Sequence, residues 1–155
     1  MAATPKRTHL PLFPPGLREI KAQDVDHLFV GSAFDTPLRR RMVAALQMFI
    51  VHLRGLGVHG DLWIDGSFAT MKPEPGDIDL ALFIPGVIVN LMPADGFERL
   101  RCLSDEENRA YVRAKWQVDF YVCDLNDTER RDYFLELFSR NPDRTNSKGI
   151  PFLAL

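Results

Sequence analysis

Thiols are scarce: Cys102 and Cys123 are the only two cysteines in 155 residues. They stand far apart and in no metal-like spacing, which excludes a disulfide scaffold and leaves reduced thiols in a cytoplasmic protein as the expectation. Long apolar runs are missing too, and nothing approaches the roughly 18 consecutive apolar residues of a membrane span. Lys6 and Arg7 have no long apolar stretch behind them, so Met1 to Arg18 does not read as a signal peptide. There is no excess of positive charge. A formal net charge of −2 argues against a chain built mainly to coat nucleic acid, although a local basic patch can hide in a balanced total. The four histidines, His9, His27, His52 and His59, show no ligand spacing. No repeat and no low-complexity tract is present. What remains, 46% apolar and 26% charged residues, is the composition of one globular domain with a real core.

The expected organisation is a single domain over residues 1–155, with a proline-rich arm over 1–16 and a tail over 141–155. Pro5, Pro11, Pro14 and Pro15 keep the arm extended, and Leu10, Leu12 and Phe13 suggest that part of it lies on the domain. From Pro37 the apolar residues Leu38, Met42, Leu46, Phe49, Ile50 and Leu53 recur at spacings of three and four, which predicts a helix. Thr36 suits its N-cap, Pro37 its first position, and Gly55 or Gly57 its stop. Asp61 to Asp65 reads as a short strand ending at Gly66-Ser67. Phe68 to Lys72 fits one helical turn, broken by Pro73, Pro75 and Gly76. Ile78 to Ile84 is a strongly apolar strand, and Val87 to Met92 is ambiguous. Ser104 to Lys115 reads as a polar helix capped by Ser104. Trp116 to Val122 alternates as a strand, and Thr128 to Arg140 is an amphipathic helix. The tail turns at Lys148-Gly149-Ile150 into a short apolar segment. This order predicts a small α/β (α+β) domain, a three-stranded sheet with helices against one face.

Two carboxylates stand out because side chains alternate faces along a strand. Asp77 and Asp79 point one way while Ile78, Leu80, Leu82 and Ile84 point the other, into a core. In the later strand Gln117, Asp119, Tyr121 and Cys123 share one face and Trp116, Val118, Phe120 and Val122 the opposite one. If the two strands are neighbours, Asp119 joins Asp77 and Asp79. Clustered carboxylates repel: at ~4 Å a pair costs on the order of 1 kcal/mol in water, and more where water is excluded. A divalent cation removes that cost. Mg²⁺ takes hard oxygen ligands, usually one or two carboxylates with substrate phosphates. Two such ions about 3.5–4 Å apart can clamp an in-line phosphoryl displacement. The preceding corner suits the same chemistry, since Gly66 allows close approach of backbone to a phosphate and Ser67 offers a hydroxyl and an N–H near a helix start.

Gly66-Ser67, nine intervening residues, Asp77-Ile78-Asp79-Leu80 and the later Val118-Asp119-Phe120 resemble the DNA polymerase β-like nucleotidyltransferase superfamily. The resemblance implies a minimal fold of that type, a small mixed sheet with helices packed on one face. It implies that Asp77 and Asp79 bind metal and the triphosphate of an NTP. Asp119 then binds the catalytic metal and helps activate an acceptor hydroxyl, and Gly66 and Ser67 hold phosphate. Asp65, before the glycine, departs from a position that is apolar in many members, and can perturb the phosphate site electrostatically. Leu12 to Gly16, Trp63 to Phe68, Lys72 to Asp79 and Lys148 to Ile150 also resemble a narrower group of small bacterial and phage-associated nucleotidyltransferase-like proteins (the DUF6932-like group), which names no substrate.

The functional expectation is a Mg²⁺-dependent enzyme, with Mn²⁺ as a substitute, that moves an NMP from an NTP, ATP being the first choice, to a hydroxyl on a protein or RNA acceptor. Asp77, Asp79 and Asp119 carry the metal and the catalysis, and Gly66, Ser67 and Lys72 the nucleotide. Lys72 has the plainer reading of a solvated loop lysine. The stretch after Asp119 is too short for the large acceptor-binding modules of the superfamily, so a partner protein is expected. One branch resembles antitoxins that attach AMP to a partner toxin; a non-catalytic nucleotide-binding module and a small-molecule transferase are the other readings. Asp124 and Asp127 compete with Asp119 but suit turns and helix caps better. Arg39-Arg40-Arg41 reads as a water-facing run that could meet phosphate. Arg144 and Lys148 could fold over a nucleotide from the tail. Trp63 and Trp116 read as core residues, Tyr121 as a packing residue or a base platform, and Cys123 as a buried thiol.

Overall fold

The computed structural model describes residues 9–31, 34–140 and 148–155. In chain order its elements are β1 (Gly16–Glu19), α1 (Val25–Phe29), α2 (Pro37–Gly55), β2 (Asp61–Asp65), β3 (Ile78–Ile84) and α3 (Gly86–Leu91). They continue as α4 (Ala94–Ser104), α5 (Arg109–Trp116), β4 (Val118–Asp124), α6 (Thr128–Ser139) and β5 (Gly149–Ala154). Local chemistry accounts for the longest helix. Thr36 is extended and its side-chain oxygen accepts from the Arg39 N–H, while Pro37 fills a first-turn position that needs no donor.

The sheet is mixed, in the order β1-β5-β2-β3-β4. β2 and β3 are antiparallel. β3 and β4 are parallel, so the chain between them must cross over one face, and α3, α4 and α5 make that crossover. The α/β class agrees with the sequence, and β2, β3, α2 and the start of α6 fall where their periodicity puts them. Among the described residues the sheet nevertheless has five strands where three were expected. The short apolar segment after Lys148 is β5, paired with β1 on one side and β2 on the other. Ser104 ends a helix and caps none, because Asp105 is extended and breaks 104–115 into α4, a 3-10 turn and α5. Trp116 belongs to α5, and Gln117 at φ +58° turns the chain into β4.

Alternation along the strands builds two cores. Leu62, Ile64, Ile78, Leu80, Leu82, Val118 and Phe120 face the buried stripe of α2 together with α1, α4 and α5. The other face is smaller. Trp63, Ala81, Phe83, Cys123 and Ile150 pack under Phe134 and Phe138 of α6, so helices cover both faces of the sheet and not one alone. The arm is held as expected at Leu12 and Phe13. The Leu12 N–H donates to Ala69 O, Met71 N–H donates to Leu10 O, and Phe13 is buried; the Leu10 side chain is exposed.

Candidate functional site

Register brings the acidic residues together. Asp65 ends β2 and Asp79 lies near the start of β3; the two are directly opposite across the antiparallel pair. Asp79 is in turn directly opposite Asp119 across the parallel pair. Three carboxylates therefore stand side by side on three neighbouring strands, on the α6 face but at the end of the sheet where β2 finishes and β3, β4 and β5 begin. Asp77 precedes the row. Asp77 and Asp79 are half-buried. Burial, and then the charges of Asp119 and Asp77, push the Asp79 carboxyl up to about 6.

The glycine corner closes on this row. Gly66 has φ +86° and ψ −173°, a conformation that L side chains rarely adopt. A Cβ there would lie 2.6 Å from Asp79 Oδ2 and 3.2 Å from Asp77 O. Ser67 opens a 3-10 turn, with Ala69 N–H donating to Gly66 O and Thr70 N–H to Ser67 O. Lys72 enters through its backbone, its N–H donating to Thr70 Oγ1 and its carbonyl accepting from Arg39 Nε. Its ammonium makes no ion pair among the described residues.

Basic residues from distant parts of the chain meet the carboxylates. Arg109 Nε lies 2.8 Å from Asp119 Oδ1. Arg113, one turn further along α5, places Nε 3.3 Å from Asp77 Oδ2 and Nη2 3.4 Å from Asp119 Oδ2. Arg109 Nη2 also donates to the Tyr121 hydroxyl, which donates to Asp119 Oδ2 at 3.3 Å. Tyr121 is thus a member of the polar network as well as a packing partner of Phe134. Lys148, immediately before β5, is buried with Nζ 2.5 Å from Asp65 Oδ1. Burial raises the Asp65 carboxyl, Lys148 opposes that rise, and the negative charge that Asp65 adds beside the corner is balanced locally.

Arg39 departs most from its sequence reading. It faces no water: it is fully buried and donates to the carbonyls of Phe29, Phe68, Thr70 and Lys72, between the rings of Phe34 and Phe68. Desolvation lowers its guanidinium to about 10, so it stays charged at neutral pH. It fastens the segment after Gly66-Ser67 to α2. Arg40 does sit at the surface, paired with Asp35 at 2.5 Å. Asp124 accepts from the Asn126 N–H and Asp127 caps α6, the local roles expected of them. Trp63 and Trp116 pack on Phe83 and Phe49. Arg144 lies outside the described residues.

Asp77, Asp79 and Asp119 carry hard oxygen donors of the kind Mg²⁺ takes, and the side-chain-free Gly66 leaves a backbone approach beside Asp79. As they stand, no three acidic, histidine or cysteine side chains among the described residues are disposed to close on one cation. Arg113 reaches both Asp77 and Asp119.

The fold and site define a mixed α/β protein with a row of carboxylates beside a glycine corner, countered by cations from α5 and from the residue before β5. The chain belongs to DUF6932, a family of unknown function whose model matches residues 5–153. No curated protein and no solved structure matches it. No helix among the described residues is long and apolar enough to cross a membrane.

Proposed function

We propose that the chain is a metal-dependent nucleotidyltransferase, which transfers an NMP from an NTP to a hydroxyl acceptor with release of pyrophosphate. The observation that carries this reading is the register of β3 with β4. It sets Asp79 directly opposite Asp119, and Gly66 comes so near Asp79 that no side chain fits between them. Acidic residues aligned in this way, one with its carboxyl raised by burial and by its neighbours, are costly for the bare protein. They have a use where cations and phosphates gather.

In this reading Asp77, Asp79 and Asp119 would hold Mg²⁺, which would supply charge neutralisation for the triphosphate. Gly66 and Ser67 present backbone to the phosphates, and Asp119 takes the proton from the acceptor hydroxyl as its oxygen bonds to the α-phosphorus and pyrophosphate departs. Arg109 and Tyr121 orient Asp119 for that task. The resemblance to the polymerase β-like superfamily supports the assignment of roles.

The test is incubation with each α-labelled NTP, Mg²⁺ or Mn²⁺, and fractionated cell lysate. Label should appear on an acceptor, require the metal, and vanish in Asp79→Asn and Asp119→Asn proteins that retain the wild-type circular dichroism. Nucleotide binding without transfer to any fraction would replace the enzyme with a binding module. An absence of both binding and transfer ends the proposal.

A further inference from the structure

Arg113 bridges two of the carboxylates with its own positive charge. It spans Asp77 at 3.3 Å and Asp119 at 3.4 Å, and Arg109 takes the other oxygen of Asp119 at 2.8 Å. Neither guanidinium can shed its charge by losing a proton, so each neutralises its carboxylate permanently as long as it stays in place. Both arginine side chains are close to half exposed, whereas Asp119 is 13% exposed. The carboxylate belongs to a sheet strand and is little exposed, and the two guanidinium groups reach it from the solvent side. Guanidinium groups also match phosphate oxygens in a bidentate fork.

From this geometry we propose that Arg113, assisted by Arg109, is an internal counter-cation that competes with divalent metal for Asp77 and Asp119, and that a triphosphate draws it away. The inference rests on the nucleotidyltransferase reading of the same site and adds to it a coupling between ligands. Metal cannot enter while the arginine holds the carboxylates, and the arginine leaves most readily when it has phosphate to bind. Metal entry in turn frees the guanidinium for phosphate. Each ligand therefore raises the affinity for the other by the same factor, as linkage requires. The bare protein is guarded against binding metal alone.

The experiment compares the wild-type protein with Arg113→Gln and with Lys115→Gln. Lys115 is on the same helix, its ammonium lies over Tyr111 and Trp116, and its removal controls for net charge. Mn²⁺ alone is titrated by electron paramagnetic resonance. Retention of α,β-methylene ATP is measured by equilibrium dialysis with and without Mn²⁺. Wild type and Lys115→Gln should bind Mn²⁺ weakly alone and retain the nucleotide only with Mn²⁺. Arg113→Gln should bind Mn²⁺ alone more tightly, by a factor on the order of 5–150, and lose most of the gain in nucleotide retention that Mn²⁺ provides. Arg113→Gln binding Mn²⁺ no more tightly than the control overturns the counter-cation while leaving the nucleotidyltransferase reading intact. If none of the three proteins binds Mn²⁺ or the nucleotide, both fail together.

Discussion

Gly66 is the most constrained residue of the site. Its φ of +86° with an extended ψ suits glycine, and a methyl group on it would meet Asp79 Oδ2 at 2.6 Å. Gly66→Ala should cost about 1–3 kcal/mol of stability from backbone strain alone. If the proposed function holds, it should also displace Asp79 and abolish metal-dependent nucleotide retention. Urea denaturation measures the first effect and equilibrium dialysis the second. Arg39 is constrained differently, by what it satisfies: four carbonyls from α1 and from the segment after the corner accept from its side chain. Replacing it by Met removes their donor in a buried place and should lower stability by about 2–4 kcal/mol. Arg39→Lys should recover little of that, since one ammonium cannot span the fork that a guanidinium covers. A urea midpoint for Arg39→Met equal to wild type would show that the clamp contributes nothing.

Between elements, the junction that matters joins the end of β2 to the start of β5. Asp65 and Lys148 meet there, both buried and 2.5 Å apart. Removing one partner leaves a buried charge alone, which costs about 3–5 kcal/mol, whereas removing both leaves none. Lys148→Met should therefore be strongly destabilised, and Asp65→Leu with Lys148→Met should regain most of the loss in thermal unfolding. A double variant as unstable as the sum of the singles would argue that the two groups act separately. This junction also marks where sequence patterns stop informing. The period-two alternation of Ile78 to Ile84 sends Asp77 and Asp79 to one face, and the same alternation aligns Asp119, because strand periodicity is local. Which strands are neighbours is a tertiary outcome. β5 carries Pro151 amid a short apolar stretch and reads as tail, yet β1 and β2 flank it. β1 is exposed throughout and carries no apolar pattern to find. Arg109 and Arg113 share one face of α5 at a spacing of four, and Lys148 stands before β5, but nothing local in the chain tells that this helix face and that residue meet the carboxylates. Arg39 could have been found from helix phase: it lies three residues before Met42 and seven before Leu46, on the buried stripe of α2.

For the whole molecule, the site is a concentration of charge that the fold tolerates at a cost. Asp65, Asp77, Asp79 and Asp119 gather at one end of the sheet, faced by Lys148, Arg109 and Arg113. The Asp79 carboxyl is raised from its ordinary 3.8 to about 6, chiefly by burial and then by Asp119 and Asp77. The folded protein therefore holds a proton on Asp79 that the unfolded chain has already released. That contribution to stability is fully present below about pH 4 and is lost as pH rises through 6, because the unfolded state binds fewer protons across this window. The loss from this group is at most about 3 kcal/mol, since a tenfold change in proton affinity corresponds to ~1.4 kcal/mol. Asp79→Asn should flatten this part of the pH profile of thermal unfolding and exceed wild type in stability at pH 7. Under the proposed function, Mg²⁺ with a non-hydrolysable NTP should restore the loss in wild type above pH 6, by stabilising the folded state that binds them, and should do nothing for Asp79→Asn. An Asp79→Asn profile that runs parallel to wild type from pH 4 to 7 would mean that Asp79 is ionised without cost. The carboxylate row would then have no unmet demand for a cation.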